Sequence, residues 1–186
     1  MAFVVVYDAC VLHPASLRDL LIRLAGTGLF RAKWTEEILD ECFSSILRNR
    51  PDLDTARLAR TRQLMIDAIP DCLVRNYEAI TDTLSLPDPQ DRHVLAAAIQ
   101  SGAQTIVTSN LKDFPSDVLI SYDVLAQHPE EFLLHVLDLS PPTFLNVLRE
   151  QANTLRNPPV TLEELLVKLE KIGLARLVAE VRRHIR

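Results

Sequence analysis

The run Phe3-Val-Val-Val-Tyr7 constrains the fold more than any other stretch of the chain. An unbroken apolar segment rich in β-branched residues does not alternate between a wet and a dry face. It fits a central strand of a parallel sheet, buried on both sides. Asp8 ends the run abruptly. A carboxylate placed where a buried strand stops sits at the carboxyl edge of the sheet, where open parallel sheets bind ligands.

Helical and strand patterns alternate from there on, which predicts βαβ units and a mostly parallel sheet. Leu17, Leu20, Leu21 and Leu24 recur at helical spacing over Pro14 to Ala25, with Gly26 and Gly28 as stop signals. A second strand is expected around Phe30 to Trp34, then a helix to about Leu47 with Thr35 as its N-cap. Asp54 to Ile69 reads as a partly exposed helix closed by Pro70, and Cys72 to Val74 as a short third strand. A loop over Leu84 to Asp91 leads into an Ala-rich helix from about Pro89 to Gln100, stopped by Gly102. Thr105 to Thr108 is a further strand, ending in the polar turn Ser109 to Asp113. Beyond Ser140, Pro141 and Pro142 break the chain. Three helical pieces follow near Thr143 to Leu155, Leu162 to Lys171 and Leu174 to His184, with Asn157-Pro158-Pro159 as an internal break. The reading is a domain over 1–138 and a helical C-terminal extension over 139–186.

Composition narrows the functional classes. The chain has 186 residues, 48% of them hydrophobic, enough for a real core. No apolar stretch reaches the roughly 20 residues that cross a bilayer, so no membrane association is expected. The opening MAFVVVYDAC lacks a basic leader region, which speaks against a cleaved secretory signal. Cys10, Cys42 and Cys72 are odd in number and unpaired by spacing, which fits a reducing, cytoplasmic compartment rather than a disulfide framework or a zinc site. Cys10 lies near Asp8, but no activating base marks it as a nucleophile. A net charge of −5 argues against holding nucleic acid by bulk electrostatics, although bound metal can supply the positive charge locally.

The acids carry the chemistry. Asp8 and Asp113 follow strands, Asp88 and Asp91 are three apart at a helix start, and Glu37 and Glu41 are four apart on one helix face. Carboxylates crowded together raise one another's pKa, and a divalent cation resolves the conflict. Mg²⁺ takes oxygen ligands and bridges to phosphate, so such a set suits phosphodiester chemistry. Simpler roles stand beside this. Asp88 also reads as an N-cap with Pro89 at the first helical position, Glu36, Glu37, Asp40 and Glu41 as a solvated helix front, and Asp113 as a cap of its turn. His13, His93, His128, His135 and His184 form no spaced metal motif. A haloacid dehalogenase phosphatase needs a second acid where Cys10 stands, and a receiver domain orders its acids differently.

Four segments in order, Val4 to Leu12, Ile38 to Glu41, Leu86 to Ala98 and Ile106 to Phe114, resemble PIN-domain proteins, in particular the VapC-type toxins of bacterial toxin–antitoxin pairs. The similarity covers about residues 3 to 138, within which Pro129-Glu-Glu-Phe-Leu133 also looks like this subgroup. It implies a three-layer α/β/α fold with a mostly parallel sheet of about four to five strands. It also implies a Mg²⁺- or Mn²⁺-dependent endoribonuclease leaving 5′-phosphate and 3′-hydroxyl ends. Carried over residue by residue, Asp8, Glu41 and Asp91 are its first three acids. Asp88 joins them as a metal ligand, Asp113 as a catalytic acid, and Thr108 and Asn110 as support. Asn110 stands where many relatives carry an acid, which bears on a second metal. The implied partners are substrate RNA, a cognate antitoxin and a second copy of the chain. The alternative is a degenerate PIN module serving as a scaffold for RNA or protein. Arg176, Arg182, Arg183 and Arg186 make the last helix basic, which fits RNA contact, antitoxin contact or a favourable helix dipole.

Overall fold

A computed structural model describes residues 2–156 and 158–185, so Asn157 of the expected break and Arg186 of the basic terminus lie outside the described residues. In chain order the elements are β1 (Val4–Tyr7), α1 (Ala9–Leu12), α2 (Ala15–Gly26), β2 (Arg31–Lys33), α3 (Glu36–Asn49), α4 (Thr55–Ala68), α5 (Glu78–Thr81), α6 (Arg92–Ser101), β3 (Thr105–Val107), α7 (Ser116–Leu119), β4 (Leu125–Gln127), α8 (Pro129–Leu139), α9 (Pro141–Thr154), α10 (Leu162–Lys171) and α11 (Ala175–Ile185). Short 3-10 turns cover Pro89–Asp91 and Leu111–Asp113.

The four strands pair in the order β2-β1-β3-β4, every pair parallel. β1 is therefore central, as its unbroken apolar run requires, with Val5, Val6 and Tyr7 fully buried. Its alternating side chains serve two faces. Tyr7 donates its hydroxyl proton to the Leu21 carbonyl of α2 at 3.1 Å, while α6 packs on β1 as part of the crossover that leads to β3. Local chemistry sets the helix ends. Thr35 accepts from the Ile38 N–H, Asp54 from Ala56, and Gly102 adopts the left-handed conformation that closes α6.

Two strand expectations need correction. Cys72 to Val74 forms only a parallel bridge between Leu73 and Trp34, with the Trp34 N–H on the Cys72 carbonyl and the Val74 N–H on the Trp34 carbonyl. The segment touches the outer edge of the sheet for one residue and then turns away. The fourth strand is β4, which the sequence pattern did not announce because Leu125 is 60% exposed at the free edge. Pro141 and Pro142 start α9 rather than interrupt a helix, since an early helical position leaves no N–H to be missed.

The helices after Ser140 share the main core. α9 and α10 pack on α2, and α11 packs on α8. Phe144, Leu148, Leu165 and Leu177 are buried in the same apolar cluster as Val5 and Tyr7. α8 supplies Phe132, edge-on to Phe30 at 5.2 Å and to Tyr7 at 6.3 Å, an arrangement favourable to aromatic rings. No helix among the described residues is long and apolar enough to cross a membrane.

Candidate metal centre

β1 and β3 end side by side, which brings Asp8 and Thr108 together across a separation of 100 residues. Thr108 donates its hydroxyl proton to Asp8 Oδ2 at 2.7 Å, and the Ala9 N–H donates to Asp8 Oδ1 at 2.7 Å. Asp8 is 6% exposed and caps α1, so its carboxylate is fixed in one orientation. The Thr108 hydroxyl also accepts the Asn110 N–H at 3.0 Å, which shapes the turn after β3. Asn110 in turn donates its side-chain amide to Asp113 Oδ2. The supporting roles expected of Thr108 and Asn110 thus have a geometric basis.

Asp88, Asp91 and Asp113 each present an oxygen such that all three lie within 4.8 Å of one another, the one such group of three or more possible ligands among the described residues. Asp88 also accepts the Gln90 N–H at 2.9 Å, so its capping and clustering readings hold together. Asp91 Oδ2 is buried with no hydrogen-bond partner. Burial, followed by the charges of Asp8, Asp88, Asp113 and Glu41, pushes the Asp91 carboxyl up to about 6. Asp8 and Glu41 therefore act on Asp91 through space while standing outside the tight group of three. The sequence reading centred the site on Asp8; the tightest grouping of oxygens is that of Asp88, Asp91 and Asp113.

Glu41 is held from behind by His93, whose Nε2 lies 3.1 Å from Glu41 Oε1. His93 is 4% exposed, and its Nδ1 lies 3.7 Å from Glu37, beyond hydrogen-bonding range. Glu37 accepts the Tyr77 hydroxyl proton at 2.9 Å, and burial together with that bond pushes the Tyr77 phenol up to about 12. Burial works against charging the His93 ring. The bond to Glu41 and the charges of Glu41, Glu37 and Asp8 outweigh it and hold the imidazole above its usual value. The remaining acids of the helix front, Glu36 and Asp40, pair with Arg62. His93 is the residue that sequence reasoning missed. Its one signal was its place on the first turn of an apolar helix two residues after Asp91, and its partner lies 52 positions away.

Cys10 is a bystander in this chemistry. Burial and the neighbouring Asp8 carboxylate push its thiol up to about 12, and it donates to Asp8 Oδ2 at 3.1 Å while accepting the Ser109 N–H at 3.3 Å. A protonated, hydrogen-bonding thiol is a poor nucleophile. The other two cysteines are buried and also free.

An all-oxygen donor set with one buried, unpartnered oxygen and a carboxyl that resists ionisation could hold a divalent cation. The match to known proteins agrees with the fold. Residues 4–112, more than half of the chain, match the family model described as PIN domain. The chain belongs to the PIN-domain family. Residues 129–183 match the model described as VapC50 C-terminal domain, which spans α8 to α11 and starts ten residues before the boundary expected at 139. A curated relative from Mycobacterium tuberculosis (strain ATCC 25618 / H37Rv), named "Putative ribonuclease VapC50", is 46% identical over 77 residues, covering 41% of this chain and 46% of that protein. The matched part is thus about half the length of the relative. No solved structure matches the chain.

Proposed function

We propose that this PIN domain is a metal-dependent endoribonuclease, the toxin of a toxin–antitoxin pair. The observation that carries the reading is the buried, unpartnered oxygen of Asp91 amid the oxygens of Asp88 and Asp113. Asp88, Asp91 and Asp113 would hold Mg²⁺ or Mn²⁺, with Glu41 lining the same crevice and the Asp8 charge bearing on Asp91. When bound, the cation supplies an activated water and positive charge for the phosphate and the leaving oxygen. The protein's own part is positional. Thr108 and the Ala9 N–H fix the Asp8 carboxylate, Asn110 fixes Asp113, and His93 fixes Glu41. A degenerate scaffold has no need to keep five acids crowded against their own repulsion.

The same reading assigns the nuclease unit to 1–138 and the helical extension to 139–186, with RNA as substrate, a protein antitoxin as inhibitor, and a homodimer as the working form. Three free cysteines suit a reducing cytoplasm. Purified protein should cut single-stranded RNA in Mg²⁺ or Mn²⁺ and stop in a chelator. Undiminished cleavage in chelator, or by Asp8→Asn and Asp91→Asn proteins, would overturn the assignment. Induction of the wild-type gene should arrest growth while the Asp8→Asn gene does not; equal arrest would detach toxicity from the nuclease.

A further inference from the structure

α3 carries a polar stripe that the metal chemistry uses only at its first residue, Glu41. Its apolar positions, Ile38, Leu39, Cys42, Phe43 and Ile46, are buried against the core. Glu41, Ser44, Ser45 and Arg48 stand at i, i+3, i+4 and i+7, which puts them on one face of the helix. They line a single groove of about 680 Å³ that begins at Asp88 and Asp91. At its far end the last turn of α3 meets the end of α1, where Asn49 Nδ2 lies 3.2 Å from His13 Nε2. Arg18 secures that end by donating to the carbonyls of Leu12 and His13 at 2.8 and 3.2 Å.

The charge along this groove is graded. Carboxylates crowd one end, hydroxyls fill the middle, Asn49 lies at the far end, and among the described residues Arg48 is the only lysine or arginine that lines it. Arg48 is exposed and has no ion-pair partner among the described residues, in contrast to Arg50, paired with Asp52, and Arg62, paired with Glu36 and Asp40. From Glu41 to Arg48 is two turns, about 10 Å of helix at 1.5 Å per residue. That distance is roughly three nucleotides of a stacked strand at about 3.4 Å each. In a chain of net charge −5, an isolated guanidinium at that spacing is a local anchor where bulk attraction is lacking.

We infer that the α3 stripe is a track for single-stranded RNA, on which Arg48 grips a backbone phosphate about three nucleotides from the bond that is cut, at the spacing set by the helix. Ser44 and Ser45 offer hydrogen bonds to sugar and phosphate between the two ends. The inference rests on the ribonuclease reading of the acidic end, but its own claim concerns where the strand lies. A guanidinium suits this role because its planar donors match phosphate oxygens.

The test uses the full chain and labelled single-stranded RNA of about a dozen nucleotides, in Mg²⁺ for cleavage and, with the Asp91→Asn protein, in anisotropy titrations for binding. Arg48→Ala should weaken binding and raise KM about tenfold, the worth of one charge-assisted contact. It should also flatten the dependence of log affinity on log salt by about 0.7, the share of one phosphate on a single strand. Arg48→Lys should restore the salt slope and part of the affinity. A dinucleotide substrate, too short to reach Arg48, should be cut equally well by both proteins. Unchanged affinity and salt slope in Arg48→Ala would overturn the track, as would an equal loss on long and short substrates. If the wild type binds RNA with an Arg48-dependent slope but does not cut it, the track stands and the nuclease reading falls.

Discussion

The crevice at the carboxyl edge of the sheet and the helical region from α8 to α11 treat charge in opposite ways. In the last helix of that region, α11, the arginines are matched within the chain: Arg176 with Glu130 at 3.0 Å, Arg182 with Glu163 and Glu170, and Arg183 with Glu180 at 2.9 Å. α10 closes its own N-terminus with a capping box, Thr161 and Glu164 bonding each other's backbone. At the crevice the charges of four carboxylates bear on a fifth, that of Asp91, and one oxygen of Asp91 has no partner. Paired charge serves the fold; unpaired, half-buried charge marks a place where something else must bind. The basic last helix, seen this way, is largely engaged with its neighbours, which favours the structural role for Arg176, Arg182 and Arg183 over RNA contact.

The sharpest way to break this contrast is Asp91→Asn. It should lower RNA cleavage by at least about a hundredfold. It should also raise the melting temperature of the metal-free protein by roughly 2–4 °C, because it removes a repelled and partly desolvated charge. Calorimetry in chelator beside cleavage assays in Mg²⁺ reads both effects. A metal-free protein destabilised by this change would mean that the acids are compensated in some other way.

His93→Ala comes next. Loss of the 3.1 Å bond frees Glu41 to swing towards solvent, and Mn²⁺ affinity, followed by electron paramagnetic resonance without RNA, should fall about 10-fold to 100-fold. His93→Gln keeps a donor near Glu41 and should recover part of it. Equal affinity in all three proteins would remove Glu41 from the metal site.

A smaller effect follows from pH. The Asp91 carboxyl titrates near 6 in the metal-free fold, against a lower value in the unfolded chain. Its folded pKa is raised, so this group's contribution to stability is most favourable at low pH and is lost as pH rises through about 6. Metal must displace that proton, and apparent metal affinity should fall by up to about tenfold per pH unit below about 6. A flat affinity between pH 5 and pH 7, as assay conditions, would contradict it. Least is expected from Arg182→Ala, where exposed ion pairs contribute little: cleavage unchanged and the thermal midpoint within about 2 °C of wild type.

Most of the scaffold was legible from residues close together in the chain. The buried run of β1, the leucine spacing of α2, the caps at Thr35 and Asp88 and the left-handed Gly102 are local signals, decided by side-chain periodicity and by backbone groups a few positions away. The acids were legible as candidates because Asp8 and Asp113 follow strands and Asp88 and Asp91 open a helix. β4 was not, since an exposed edge strand of three residues leaves little pattern.

What the sequence determined by itself is that Asp8 ends a buried central strand. Which oxygens crowd closest was decided by the tertiary structure. Asp113 reaches Asp88 and Asp91 because β1 and β3 pair in parallel, and their ends open onto the 3-10 turn that Asp88 caps. His93 meets Glu41 because α3 and α6, far apart in the chain, converge on one edge of the sheet. Such convergence depends on strand order and helix packing, which the side-chain pattern of any one segment does not encode.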